Sequence, residues 1–356
     1  MDVSLDRLAI GQLYFKIVDF DTAIANLKQG MAQARAVQDW AGWCRYLPLL
    51  LRIHAERLEF PKIEALKIEL REAAELEGFS FQSSTHYALG ISYSYEGKVD
   101  KAEEHFLQAR AFARELIELH HADFGLAAIL SQRGQTDLAI EKLRLLEAAL
   151  AETLLTDLKL ACGLMLAYRY RDSGRYSEAM ELLRPLQEIC RVEQNLYMSL
   201  NVLYGVGTVL QRMGDLDKAR QHFQMVKSLT RSDELCHLDQ QVEARLQELA
   251  QPAPTFELQQ DQVLRRPNGD QIRIGSQVIL RDLLKVLAAE PGRILGKEEL
   301  VQRVWKESYD PSVHDNKLYV TIRRLRTLLD ADEKESHILG SREGYQMSRS
   351  FSLKIV

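Results

Sequence analysis

Four basic side chains crowd one short stretch near the end of this 356-residue chain. Lys317, Arg323, Arg324 and Arg326 lie between Ser312 and Leu328 with a single acid, Asp315, among them. At about 100° per residue, Leu318, Ile322, Leu325 and Leu329 share one narrow helix face. Asn316, Lys317, Val320, Arg323, Arg324 and Thr327 fall on the opposite side. A helix with an aliphatic stripe behind and guanidinium groups in front, and few acids to neutralise them, suits a polyanion groove.

The flanking sequence supplies the elements that would hold such a helix. Leu283 to Gly292 reads as a first helix stopped by Pro291-Gly292. Ile294-Leu295 is a short extended piece, and Gly296 to Trp305 reads as a second helix. A polar loop, Lys306 to His314, leads into the arginine helix. Beyond it, His337 to Met347 reads as a hairpin with glycines at its tip. Ahead of the first helix, Phe256–Gln260, Val263–Arg266 and Gln271–Ile274 alternate as strands do, and Asn268-Gly269 supplies a tight turn. The order predicts a winged helix-turn-helix.

Specific motifs then carry a family resemblance. Glu290-Pro291-Gly292-Arg293-Ile294-Leu295-Gly296-Lys297-Glu298-Glu299-Leu300, Val304-Trp305, Val320 to Arg326 and Gly344-Tyr345 stand in order. Through them residues 256–350 resemble the OmpR/PhoB-type winged-helix DNA-binding domain of bacterial response regulators. The resemblance implies a third helix docked in the major groove of double-stranded DNA and a wing arginine in the adjacent minor groove. By position it makes Val320 and Arg324 base-edge contacts. Asn316, Lys317, Thr321, Arg323 and Arg326 would lie against bases or phosphates, Trp305 beside the backbone, and Arg342 in the wing. Arginine's planar fork can bond guanine O6 and N7 together, which gives about 1–3 kcal/mol of discrimination per pair. Relatives touch polymerase through the loop matching Lys306–His314, so RNA polymerase is a further implied partner. One winged helix reads a short half-site, so a homodimer is expected.

The preceding two-thirds repeats itself. Leu89-Gly90, Tyr93, Gly97, Ala102, Phe106 and Ala109 match the tetratricopeptide pattern: small residues let two helices approach, and rings fill what space is left. The pattern recurs at Gly11/Tyr14/Ala23/Leu27, Ala127/Leu130/Gly134/Ala139/Leu143, Ala167/Tyr170/Gly174/Ala179/Leu183 and Gly207/Leu210/Gly214/Ala219/Phe223. A weaker unit centres on Ile53 and Ala65. Spacings between the second-helix alanines are 42, 37, 37, 40 and 40 residues, longer than the usual period of about 34. The predicted fold is therefore mainly α. A tetratricopeptide-like solenoid of six hairpins and a closing helix, residues 1–250, precedes an α+β winged-helix domain, residues 255–356. Gln251-Pro252-Ala253-Pro254 marks the boundary.

In this architecture the first helix of each pair lines the concave side. Tyr87, Ile91, His121, Phe124, Tyr168, Arg171, Tyr204 and Gln211 fall at inward positions. A polar and aromatic lining of that kind suits a protein or peptide partner, another subunit, or a small effector.

Composition narrows the remaining classes. Among 356 residues there is no apolar run of about 18, so no membrane span is expected, and Met1 to Arg7 lacks the start of a secretory signal. Four scattered cysteines (44, 162, 190 and 236) fit buried thiols of a reducing compartment, so the chain is expected to be cytoplasmic. No phosphate-cradling glycine loop, zinc-spaced ligand set or nucleophile elbow occurs, so neither catalysis nor a cofactor is expected. Nor do alternating strands and helices of a phospho-receiver precede the winged helix.

Charge is divided between the parts. Residues 255–356 hold 17 Lys/Arg against 15 Asp/Glu, whereas the array holds 29 against 36. The small surplus, Asn316, and Glu343 beside Arg342 keep a second reading open: a cytoplasmic scaffold whose winged helix is a protein-contact domain.

Overall fold

The computed structural model describes residues 6–76, 79, 81–231, 233–250, 255–260, 263–330, 336–341, 343–348 and 351–356. It divides into two compact units, Met1–Val209 with Arg220–Leu246, and Leu210–Ala219 with Gln247–Val356. The expected boundary at Gln251–Pro254 lies outside the described residues.

Among the described residues, thirteen helices precede the first strand. They are α1 Arg7–Lys16, α2 Phe20–Ala36, α3 Trp40–Glu56, α4 Phe60–Ala74, α5 Ser83–Tyr95, α6 Val99–Phe112 and α7 Leu116–Gln132. After them come α8 Thr136–Leu150, α9 Thr156–Asp172, α10 Tyr176–Val192, α11 Leu196–Arg212, α12 Leu216–Leu229 and α13 Cys236–Ala250. They run as successive pairs, α1 with α2 through α11 with α12, and α13 follows.

One turn is repeated inside every hairpin. Gly97, Gly134, Gly174 and Gly214 take φ between 72° and 79°, and Val18 and Leu58 take the same left-handed position at 62° and 56°. The next N–H reaches back to a carbonyl five residues earlier, as from Lys98 to Tyr93 and from Asp19 to Tyr14. Val and Leu strain that position where Gly does not, and Leu58 in place of Gly is part of why the unit at Ile53 and Ala65 is the weaker one in sequence. Between hairpins the seams are tight. Phe106, 2% exposed, is wedged where a β-carbon at Gly90 would stand 2.6 Å from its ring and one at Gly125 2.4 Å.

The array closes on itself. Phe15 of α1 meets Tyr197 of α11 with ring centroids 4.5 Å apart, and Lys16 pairs with Asp157 at 3.0 Å. Arg57 bonds Glu234 through Nε at 2.9 Å.

The second unit carries β1 Thr255–Gln259, β2 Val263–Arg265, β3 Gln271–Arg273, α14 Val278–Ala289, β4 Leu295–Gly296, α15 Lys297–Val304 and α16 Pro311–Leu329. The wing strands β5 Ile338–Gly340 and β6 Gly344–Met347 follow, then β7 Ser352–Ile355. One sheet runs β3-β2-β1-β7, with β7 parallel to β1, and the other β4-β6-β5. Their shared core includes Phe256, Leu283, Leu287, Leu300, Leu318, Ile322, Leu325 and Met347. At Gly344 a β-carbon would stand 2.1 Å from the Leu295 carbonyl oxygen. Only glycine allows the β4–β6 pair that anchors the wing, which accounts for the Gly344-Tyr345 motif.

Candidate nucleic-acid interface and repeat groove

The arginine helix is positioned from its first turn. Asp310 caps α16 by accepting from the Ser312 N–H at 2.9 Å, and Pro311 begins the helix where no N–H is needed. His314 is buried behind that turn. Its Nδ1 accepts from the Asp310 N–H at 2.9 Å, and its Nε2 faces Glu307 at 2.8 Å. The stripe Leu318, Ile322, Leu325 and Leu329 is buried, each residue 3% exposed or less. This fixes which side of α16 faces outward.

Nearby acids are engaged elsewhere. Asp315 takes the Tyr309 hydroxyl and the Lys297 ammonium, and these bonds hold its carboxyl below the ordinary range. Glu307 is lowered likewise, first by His314 and then by Lys317. Arg323 and Arg324 are exposed and, among the described residues, their side chains carry no hydrogen bond or ion pair. Asn316 and Val320 are exposed beside them.

The other expected contacts are placed differently. Lys317 pairs with Glu307 at 3.3 Å and lies 5.4 Å from the Trp305 ring centroid, so Trp305 is half-buried under a lysine. The Thr321 hydroxyl donates to the Lys317 carbonyl at 2.7 Å. Arg326 departs from the expectation of a DNA contact. Its Nε and Nη2 donate to the Ile338 carbonyl at 3.0 and 2.8 Å, which ties the helix to the wing strand. Arg342 lies outside the described residues. Tyr319, 56% exposed, shares the outward face, and sequence reasoning passed over it. The signal was available, because a ring three residues before Val320-Thr321-Ile322 ends falls off the leucine stripe.

Within the array, two cavities of about 310 and 450 Å³ open along the inner face. Tyr87 and Ile91 wall both, His121 the smaller, and Phe124 and Tyr168 the larger. Three expected groove residues are engaged elsewhere. Arg171 donates to the Thr208 hydroxyl at 2.9 Å and pairs with Asp172. Tyr204 is 8% exposed and packs on Phe223 with ring centroids 5.7 Å apart. Gln211 donates to Glu248 at 3.1 Å. Spacing missed Arg52 and Tyr197, which wall both cavities.

The fold and this outward basic helix define a helical-repeat protein with a winged-helix domain. Residues 277–347 match the family described as "Transcriptional regulatory protein, C terminal", the OmpR/PhoB-type domain. No curated protein gives a match to the chain. Among solved structures, a Rap protein complexed with competence and sporulation factor is 13% identical, covering 90% of this chain and 91% of its own with a TM-score of 0.50. The apo form of RapI is 13% identical over 92% and 90%, TM-score 0.44. BtubC from P. vanneervenii is 18% identical over 58% and 89%, TM-score 0.43. The first of these is a likeness of fold alone. No helix among the described residues is long and apolar enough to cross a membrane.

Proposed function

We propose that this chain is a cytoplasmic, non-enzymatic transcription regulator that reads a specific DNA sequence through α16 and receives its signal through the repeat groove. The carrying observation is the pair Arg323 and Arg324, exposed without a partner among the described residues on a helix whose other face is sealed in the core. Arg324 and Val320 take base edges, while Asn316, Lys317 and Arg323 set register on phosphates. Signal reception falls to the array, a reading that its inner cavities support. The groove takes a protein, a peptide or a small effector. The regulator works as a homodimer, and the Lys306–His314 loop is the surface offered to RNA polymerase.

Selection of bound sites from random duplexes by the intact protein tests this. A recurring motif is expected, with a log–log salt slope of about −4 to −5, for roughly five neutralised phosphates. Arg324→Ala should relax one base position by about 1–3 kcal/mol. No enriched sequence together with a flat salt response would favour the scaffold reading, which the small positive surplus of residues 255–356 supports.

A further inference from the structure

The groove holds a cation whose expected neighbour serves other groups. Arg52 and Glu56 stand one turn apart on α3, a spacing at which such residues commonly pair. Here buried Glu56 instead accepts the Tyr197 hydroxyl at 2.6 Å and the Tyr95 hydroxyl at 3.0 Å. The Arg52 guanidinium lies over the neighbouring rings of Phe15 and Tyr197, 5.4 Å from the Phe15 centroid and 5.0 Å from that of Tyr197. It makes one hydrogen bond among the described residues, from Nη2 to the Tyr197 hydroxyl at 3.3 Å. A guanidinium carries five N–H donors, so most of this fork is uncommitted. Burial works against its charge, whereas Tyr197, Tyr95 and the Glu56 carboxylate favour it and win, so the cation is held here with most of its N–H donors open to a further acceptor.

Both cavities are walled by Arg52. In the larger, Arg52 is the single Lys, Arg, Asp or Glu among the lining residues, and the walls include Phe106, Phe124 and Tyr168. In the smaller, Lys16, Arg45 and Arg52 face Glu118 and Asp157, a surplus of one positive charge. His121 adds a directional group there: its Nδ1 is buried with no partner among the described residues. Burial, with Arg52 and His120 behind it, pushes the ring's pKa down to about 4, so it is neutral at physiological pH.

We propose that the array binds an apolar monocarboxylate, its carboxylate held by the fork of Arg52 and its body against the rings of the larger cavity. The assignment rests on the groove being the effector site. A single positive surplus suits one negative charge better than a phosphate dianion. A free organic acid and the C-terminus of a short apolar peptide offer the same chemistry, and the test separates them.

Calorimetry on the intact chain would compare phenylbutyrate with phenylbutyramide. It would also compare the tripeptide alanyl-leucyl-phenylalanine with its C-terminal amide. At least one acid should bind about tenfold or more tightly than its amide, the worth of a charge-assisted pair. The tighter acid identifies the source. Arg52→Gln should abolish the acid preference. Arg52→Lys, which keeps the charge and loses the fork, should retain part of it. Thermal unfolding of each variant establishes that it is folded, and Arg52→Lys decides if Arg52→Gln is not. Equal binding of acid and amide, or a preference that survives Arg52→Gln, overturns the carboxylate assignment and leaves the groove a ligand site. Absence of binding by all four probes up to about 1 mM overturns both.

Discussion

Arg52 and Arg324 are the same side chain under opposite arrangements. The array sets Arg52 against two rings inside a groove, where the proposed ligand would exchange its own hydration for the fork. Among its described residues the winged domain leaves Arg324 exposed and spends its packing on the leucines behind it. An enclosed guanidinium discriminates by what its walls admit. An exposed one discriminates by geometry against a large partner, and salt weakens it. The first site thus depends on the interior of its unit and the second on its surface.

Core disruption should separate the two most strongly. Phe106 both fills the seam between Gly90 and Gly125 and walls the larger cavity. Phe106→Ala should cost the array about 3–5 kcal/mol in urea unfolding and weaken groove ligands. Its DNA affinity, measured below the unfolding transition, should stay near that of the parent.

Acid should come next. His121 titrates near 4 in the folded chain against 6.5 for an unperturbed ring, because burial resists its charge. The unfolded chain therefore binds more protons between those values, and stability present above pH 6.5 is lost as pH falls toward 4. That loss is on the order of 3 kcal/mol. Denaturation melts from pH 7 to 4.5 should show it beside a like contribution from His86, whose ring burial also lowers to about 4, and His121→Leu should reduce the dependence without removing it. An unchanged slope in the variant would mean that other groups control it.

The smallest effect sharpens the contrast within one helix. Arg326→Ala removes two bonds to the Ile338 carbonyl and should destabilise the winged domain by about 1–2 kcal/mol, leaving the selected DNA motif as it was. A changed motif would return Arg326 to the interface.

Much of this was legible in sequence, for definable reasons. The leucine stripe dictated which face of α16 is buried, and glycine–ring pairs dictated the hairpins. Local spacing carries both facts. It does not carry Arg326, whose acceptor lies on a strand twelve residues later. Tyr204 illustrates the same limit, since helical phase alone does not tell a groove wall from a seam. β7 went unseen because Ser352–Ile355 is a short, partly exposed edge strand held by pairing to β1, nearly a hundred residues away. Pro48 and Pro185 sit inside α3 and α10, where sequence would place a break. Arg52 escaped notice because its meaning depends on Tyr197, 145 residues distant.

The contact of Phe15 with Tyr197 has an evolutionary corollary. An open solenoid tolerates gain or loss of a unit, because each touches only its neighbours. Here the first helix meets the eleventh, so inserting or deleting one hairpin would pull apart the Phe15–Tyr197 and Lys16–Asp157 junctions. Copy number in this array is locked, and lineages carrying it should diversify by substitution rather than by duplication.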